Sequence, residues 1–440
     1  MRGAMRWGGA ALALTLAACG GGPTPMSSPT SGPSAEVDPL ASRPTLAAPA
    51  PYTPPVAAVL SMTGAPTVWL LERHDLPLVA VQVVVPYGAA DDPSGEGGVA
   101  ALTAEMMEQG AGRRGSVALS EAVERLGARL SVTANRDLSA AGLLVLRDRL
   151  AAGLEILGDV VARPRFEDAE WARSHPLWLA GLRSRAFEPP AVASLVADAV
   201  IFGPEHPYGH PVDGTVESVE PLTVAHVKAF HARAWRPERA TVVVVGDVTP
   251  AELAELLPKA FAQWAGTGEP PAPPMVTAPM ASAPPPTVLV ERPDSPQTML
   301  LLVAPGPAAA DPAQAPLELV NIALGGSFTS RLNQNLREDK GYTYGARSRV
   351  PFDRAPGRAT AGASVQTEVT QPALGELLAE LKKMRDMGPR ADELAKARAT
   401  ARNGDVEAYE AVEDAAGRLA QLAGLGLRPG HDAAIAAARD

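Results

Sequence analysis

Apolar residues along the chain fall into runs whose periods predict a mixed fold. Val79-Ala-Val-Gln-Val-Val-Val reads as a strand, and Ala240-Thr-Val-Val-Val-Val-Gly-Asp as a second, buried one. Gly97 to Gly110, Gly-Gly-Val-Ala-Ala-Leu-Thr-Ala-Glu-Met-Met-Glu-Gln-Gly, predicts a helix that follows a glycine turn and stops at a glycine cap. Ser120-Glu-Ala-Val-Glu-Arg-Leu-Gly-Ala-Arg-Leu carries its apolar residues at helical spacing. Alternating strands are expected near Leu130–Asn135 and Ala140–Val145, then long helices, with a further helix over Ala225–Trp235. Antiparallel strands with helices packed on one face define an α+β class.

The pattern occurs twice. Thr67-Val-Trp-Leu-Leu-Glu-Arg-His-Asp-Leu-Pro-Leu-Val-Ala-Val-Gln-Val-Val-Val-Pro-Tyr-Gly-Ala-Ala-Asp is matched by Thr287-Val-Leu-Val-Glu-Arg-Pro-Asp-Ser-Pro-Gln-Thr-Met-Leu-Leu-Leu-Val-Ala-Pro-Gly-Pro-Ala-Ala-Ala-Asp. Each copy predicts a strand, a turn, a second strand and a Pro/Gly exit, followed by a helix. The Pro/Ala-rich stretch 266–286 reads as a linker between a first lobe, 57–265, and a second, 287–440. Gln371–Gly388 and the residues from Ala391 onward predict helices, but nothing there matches Leu222–Asp247. The second lobe is therefore expected to lack a final helix and strand, leaving an unpaired sheet edge.

Composition adds limits. The 440 residues are 46% hydrophobic and 20% charged, an ordinary globular balance with room for more than one domain. Net charge is −10 with no dense basic block, which argues against nucleic acid. Two early arginines, the apolar run Gly8–Ala18 and Leu16-Ala17-Ala18-Cys19-Gly20 look like a bacterial lipoprotein signal over residues 1–19. Cys19 is the expected lipidation site and the sole cysteine, so an intramolecular disulfide is impossible. The expected location is the cell envelope, anchored by lipid at the outer membrane and facing the periplasm. Residues 20–56, rich in Pro, Ser and Gly, read as a tether.

The strand, the segment Pro86–Glu96 and the Gly97–Gly110 helix together resemble the approach to the active-site helix of the pitrilysin/insulinase-type zinc peptidases, which include the mitochondrial processing peptidases. Further marks are His206-Pro-Tyr-Gly-His-Pro-Val-Asp-Gly, Phe230-His-Ala-Arg-Ala-Trp-Arg-Pro and Val242-Val-Val-Val-Gly-Asp. The most specific is Gly325-Gly-Ser-Phe-Thr-Ser-Arg-Leu-Asn-Gln-Asn-Leu-Arg-Glu-Asp-Lys-Gly-Tyr-Thr-Tyr-Gly. In that family the helix carries His-x-x-Glu-His, two zinc ligands flanking a general base. The matching positions here are Ala101, Ala104 and Glu105. The family's third ligand is a Glu on a later helix, whereas Trp171-Ala-Arg-Ser-His-Pro-Leu-Trp-Leu-Ala-Gly-Leu-Arg-Ser-Arg has no acidic residue. Hydrolysis needs ligands and a base, and a methyl group offers neither. No zinc is expected on this chain.

Other chemistry is equally poorly supported. His206 and His210 are four apart, but Pro207, Gly209 and Pro211 disfavour a helix there. His226 and His231 are five apart, and His74, His175 and His431 are isolated. Neither a Gly-x-Ser-x-Gly elbow nor a phosphate-binding glycine loop occurs. The resemblance implies that an Arg and a Tyr seven residues apart hold substrate against zinc on another subunit. Arg337 and Tyr344 have that separation, with Tyr342 as the rival. The bland alternative is that Arg337 salt-bridges its helix and Tyr344 fills core. The expected function is a non-catalytic, substrate-clamping subunit whose partner is a homologous zinc-bearing peptidase. The alternative is a structural or peptide-binding envelope protein. Net acidity gives a slight bias towards basic peptides.

Overall fold

The computed structural model describes residues 50–61, 66–203, 205–266 and 287–439. The signal sequence with Cys19, most of the tether and linker positions 267–286 lie outside the described residues. In the first lobe, β1 (Ala58–Leu60), β2 (Thr67–Glu72) and β3 (Leu78–Val85) precede α1 (Val99–Met107). The short ladder of β4 (Gly110–Ala111) and β5 (Arg114–Gly115) leads into α2 (Ser116–Arg125). The hairpin of β6 (Arg129–Ala134) and β7 (Ser139–Leu146) is followed by α3 (Leu150–Ala162), α4 (Asp168–Arg185) and α5 (Pro189–Phe202). The lobe closes through α6 (Val216–Val219), α7 (Val224–Ala234), β8 (Thr241–Gly246) and α8 (Pro250–Ala260).

Six strands form one sheet in the order β1-β2-β8-β3-β7-β6. Among the described residues its only parallel pair is β2 with β8. The valine runs sit at its centre, where both faces are covered and alternation gives way to continuous apolar sequence. Val79, Val81, Val83 and Val85 of β3 point into a core shared with α1, α3 and α7. Ala80 and Val84 point the opposite way, together with Val243 and Val245 of β8.

The second lobe repeats the order in reduced form. It contains β9 (Gln297–Pro305), α9 (Gln314–Asn321), a π-helical turn Ile322–Gly326, α10 (Arg331–Asn333) and a second π-helical turn Gln334–Asp339. After these come β10 (Thr343–Arg349), β11 (Arg358–Gln366), α11 (Thr370–Met387), α12 (Ala391–Glu410), α13 (Val412–Gly424) and α14 (His431–Arg439). Its sheet has three antiparallel strands in the order β10-β11-β9. Among the described residues there is no counterpart of β8 in this lobe.

One expected strand is corrected. Residues 287–292 carry the strand-like sequence Thr-Val-Leu-Val-Glu-Arg but lie outside any strand, with Val288, Leu289 and Val290 exposed. In the first lobe the matching β2 is bonded to β1 and β8, never to β3. Without a β8 equivalent, the second-lobe segment has no ladder to join, and its backbone groups are left to water.

Each lobe's own helices cover one face of its sheet; the reverse face is covered by a helix from the other lobe. The apolar positions Val412, Ala415, Ala416, Leu419 and Ala420 recur at helical spacing along α13 and pack on the reverse face of the first-lobe sheet, against β3 and β8. Reciprocally, α5 of the first lobe lies on β9 of the second. Alanines at the contact let helix and sheet approach closely. Each fully buried leucine there contributes about 2 kcal/mol.

A buried polar lock adds to this. Arg354, in the β10–β11 loop, donates to Pro86 O (2.8 Å) and Asp91 Oδ2 (3.2 Å), and its N–H donates to Asp137 Oδ2 (2.8 Å). Tyr208 donates its hydroxyl to Asp137 Oδ1 at 2.6 Å and accepts from Ala355 N at 3.1 Å. Arg358 of β11 pairs with Asp198 of α5, which also receives Arg136. Burial pushes the Asp91 carboxyl up against the pull of Arg354. Burial likewise raises Asp353 to about 6, with Asp137 and Asp198 adding to the rise and Arg136 and Arg358 opposing it. Among the described residues no helix is long and apolar enough to cross a membrane.

Candidate functional site

Helix α1 begins where Gly98 takes a left-handed φ of 97°, a conformation glycine adopts without strain. Asp92 caps it, accepting from Gly98 N (2.6 Å) and Ala100 N (2.9 Å). Ala100, Leu102, Ala104, Met106 and Met107 enter the first-lobe core, and Ala101 is buried too. Glu105 is half-buried, its carboxylate accepting from Gln109 Nε2 at 3.1 Å. The neighbouring helix α4 offers Trp171 stacked on His175 at 4.6 Å, Trp178, and Ser174, whose buried hydroxyl has no partner. His175 donates to Val219 O, and Trp178 Nε1 donates to Asp213 O. Two methyls, one carboxylate and an indole wall do not fit a zinc ion, which takes three protein ligands and an open position.

The histidines are engaged elsewhere. His231 donates to Val161 O, sits edge-on to Phe166 and is pushed down to about 4 by burial. His206 stacks on Phe202, and His210 Nδ1 lies 3.1 Å from Pro211 O. His226 bonds Thr223 at the start of α7, and His74 meets Asp247 at 2.6 Å. His431 bonds Gln314 Oε1 at 2.8 Å. Among the described residues no group of three or more His, Cys, Asp or Glu side chains is placed to hold a metal.

The second-lobe motif is built differently. The chain runs through two π-helical turns, a wide winding that recurs at functional sites. It then leaves Arg337 through a turn closed by Gly341 N to Arg337 O (3.2 Å) and Tyr342 N to Leu336 O (2.8 Å). Arg337 spreads its guanidinium over the Phe328 ring, 4.3 Å from the centroid, with Glu338 at 3.6 Å. A cation over a ring face is held electrostatically while its N–H edges stay free to donate. Phe328 is 68% exposed, unusual for a large aromatic. Tyr342 packs against the second-lobe core, whereas Tyr344 is 93% exposed. A bulge between Thr343 and Ala346 accounts for the difference, because the extra residue breaks the alternation of β10. Arg337 thus makes a weak pairing on its own helix, and Tyr344 fills no core. Neither lines the shallow groove of about 440 Å³ at the start of β9, which is bounded by Pro189 and Arg292–Gln297.

Three features escaped the sequence reading. Glu108, just past α1, accepts from Val132 N of the edge strand β6 (2.5 Å), and Asn333 Oδ1 accepts from Ala346 N of the edge strand β10 (2.9 Å). Both sheets therefore have an outward N–H occupied by a side chain from the adjoining helical segment. The third is Arg347 and Arg349, both exposed on β10. Their i, i+2 spacing after a predicted turn was the available signal.

Comparison with known proteins agrees with this architecture. Residues 67–185 match the insulinase family of peptidases, M16, and residues 221–401 match the peptidase M16 inactive domain. An uncharacterized zinc protease of Mycobacterium leprae is 29% identical over 267 residues, covering 60% of this chain and 59% of that protein. The crystal structure of a peptidase M16 inactive domain from Pseudomonas fluorescens superposes with a TM-score of 0.76 at 26% identity, covering 87% of this chain and 90% of that one. A protease from Helicobacter pylori gives the same TM-score, 0.76, at 19% identity over 88% and 96% of the two chains, a likeness of fold. With these family matches spread over both of its tandem lobes, this chain is a member of the pitrilysin/insulinase-type family, M16.

Proposed function

We propose that this chain is a non-catalytic, substrate-clamping subunit of a heteromeric envelope metallopeptidase. It binds extended peptides for hydrolysis by a zinc-bearing homologous partner. The observation that carries the reading is the contrast between the lobes. Buried methyls stand at Ala101 and Ala104, while in the second lobe Tyr344 is fully presented and Arg337 is partly exposed and stacked on a ring. A guanidinium fork and a phenol can donate to peptide carbonyls, and a phenol can stabilise a developing oxyanion. Zinc belongs to the partner in this reading. Lipidation at Cys19 would hold the pair at the membrane.

Mixing the purified chain with a zinc-bearing homologue from the same organism tests it. Peptidase activity should appear on mixing and fall at least about tenfold with Arg337→Ala or Tyr344→Phe, the scale of a lost transition-state contact. A stable complex whose activity ignores both substitutions would refute it.

A structural role is the second reading, and one observation favours it. The outward N–H groups of Val132 and Ala346 are already bonded to Glu108 and Asn333, so neither edge is fully open for a peptide to pair with. Complex formation without any effect on hydrolysis would support this role.

A further inference from the structure

Arg347 and Arg349 flank Ser348, whose side chain is buried, so the two guanidinium stems rise from the opposite face of β10. Both are exposed, and among the described residues neither makes a hydrogen bond or ion pair. This is uncommon in the molecule: Arg331 is held by Glu393, Arg354 by Asp91 and Asp137, and Arg358 by Asp198 and Ser194. The cross-strand register explains why no counterion among the described residues reaches them. Arg347 faces Gly362 and Arg349 faces Thr360, and β9 beyond presents Leu301 and Val303. Helix α5 packs on this face over β9 and is reached from β11 by Arg358, and its buried carboxylate, Asp198, is already shared by Arg358 and Arg136. Among the described residues nothing relieves the cost of keeping two like charges about 7 Å apart.

We propose that the outer face of β10 reads acidic side chains on an extended peptide, one carboxylate on Arg347 and the next on Arg349. The spacing selects the ligand. Alternate residues of an extended peptide repeat at about the distance that separates alternate residues of a strand, so carboxylates at i and i+2 meet both arginines in register. Each guanidinium can take its carboxylate through two parallel hydrogen bonds. The contact runs through side chains, which suits a strand whose Ala346 N–H is already held by Asn333. It also reverses the bias suggested by net charge: the chain carries −10 overall, yet this strip is locally cationic. The inference rests on the clamp reading, since it specifies the peptide that Arg337 and Tyr344 would grip.

Fluorescence anisotropy with the full chain tests it, using three labelled ten-residue peptides. One carries Glu-x-Glu, one has the same composition with the glutamates adjacent, and one has lysines in place of the glutamates. The Glu-x-Glu peptide should bind best, and Arg347→Ala with Arg349→Ala should weaken it roughly tenfold and flatten its salt dependence. Thermal unfolding should be unchanged, because both side chains are exposed. Equal binding of the two acidic isomers, or binding indifferent to the double substitution, overturns the proposal. The clamp reading is scored separately by Arg337→Ala and Tyr344→Phe in the mixed peptidase. Loss of activity there alongside indifferent acidic peptides removes this inference and leaves that reading intact.

Discussion

Asp353 stands in the interlobe lock with its carboxyl raised from 3.8 to about 6, chiefly by burial. Its neighbours are Asp137 and Asp198, which disfavour its charge, and Arg136 and Arg358, which favour it. The perturbation we choose is Asp353→Asn, which keeps the shape and removes the titration. Below about pH 4 the aspartic acid is protonated in both folded and unfolded chains, and the substitution should change little. Between pH 4 and 6 the unfolded chain ionises while the folded one retains its proton. The native state then binds more protons, so stability falls as pH rises, and the full cost is present above pH 6. About two pH units at about 1.4 kcal/mol each set a ceiling of about 3 kcal/mol. The side chain retains some solvent access, so about 1–2 kcal/mol is the expected gain of the variant at pH 7.5. Urea unfolding followed by tryptophan fluorescence, with both proteins at pH 4 and pH 7.5, measures it. The variant should gain on the wild type only at the higher pH. A difference that is constant with pH, or one that favours the wild type at pH 7.5, would refute the account of Asp353 as a buried acid held by its lobe interface.

Two further outcomes follow from the packing. Leu419→Ala removes a fully buried side chain of α13 from the reverse face of the first-lobe sheet and should cost about 3 kcal/mol, read as a lower denaturation midpoint. A loss under about 1 kcal/mol would mean that this helix does not cover the sheet. Glu108→Ala frees the outward N–H of Val132 and should cost about 1–2 kcal/mol while exposing a strand edge. Light scattering should then detect self-association absent from Glu108→Gln, which keeps an acceptor; equal behaviour of the two variants would exclude an edge-blocking role.

Much of the first lobe could be read from local pattern. The valine runs of β3 and β8 are strands because both faces are buried, and the glycines at 97–98 and 110 bracket α1 because its start needs a left-handed residue. The tandem repeat was readable for the same reason. What sequence could not supply was non-local. Thr287–Arg292 has the composition of a strand, yet a strand exists only with a partner, and that partner is not among the described residues. The ownership of α13 was hidden because its apolar stripe specifies a buried face without naming the sheet that buries it. At the candidate site, the different exposure of Tyr342 and Tyr344 goes with one inserted residue in β10, which no periodicity announces. The family-matched positions Ala101 and Ala104 are buried in α1 and Glu105 is half-buried.

The exchange of α5 and α13 between sheets has a consequence for biosynthesis. Wherever the chain emerges N-terminus first, the first lobe's strands can pair once β8 at residues 241–246 has appeared, but one broad side of that sheet stays wet until α13 follows. Trp69, Val84, Val243 and Val245 are then presented to the surroundings for well over a hundred further residues of synthesis. A nascent polypeptide in that condition is a ready client for holding chaperones and an easy target for proteases. Any fragment that stops before residue 412 should inherit the same exposure permanently.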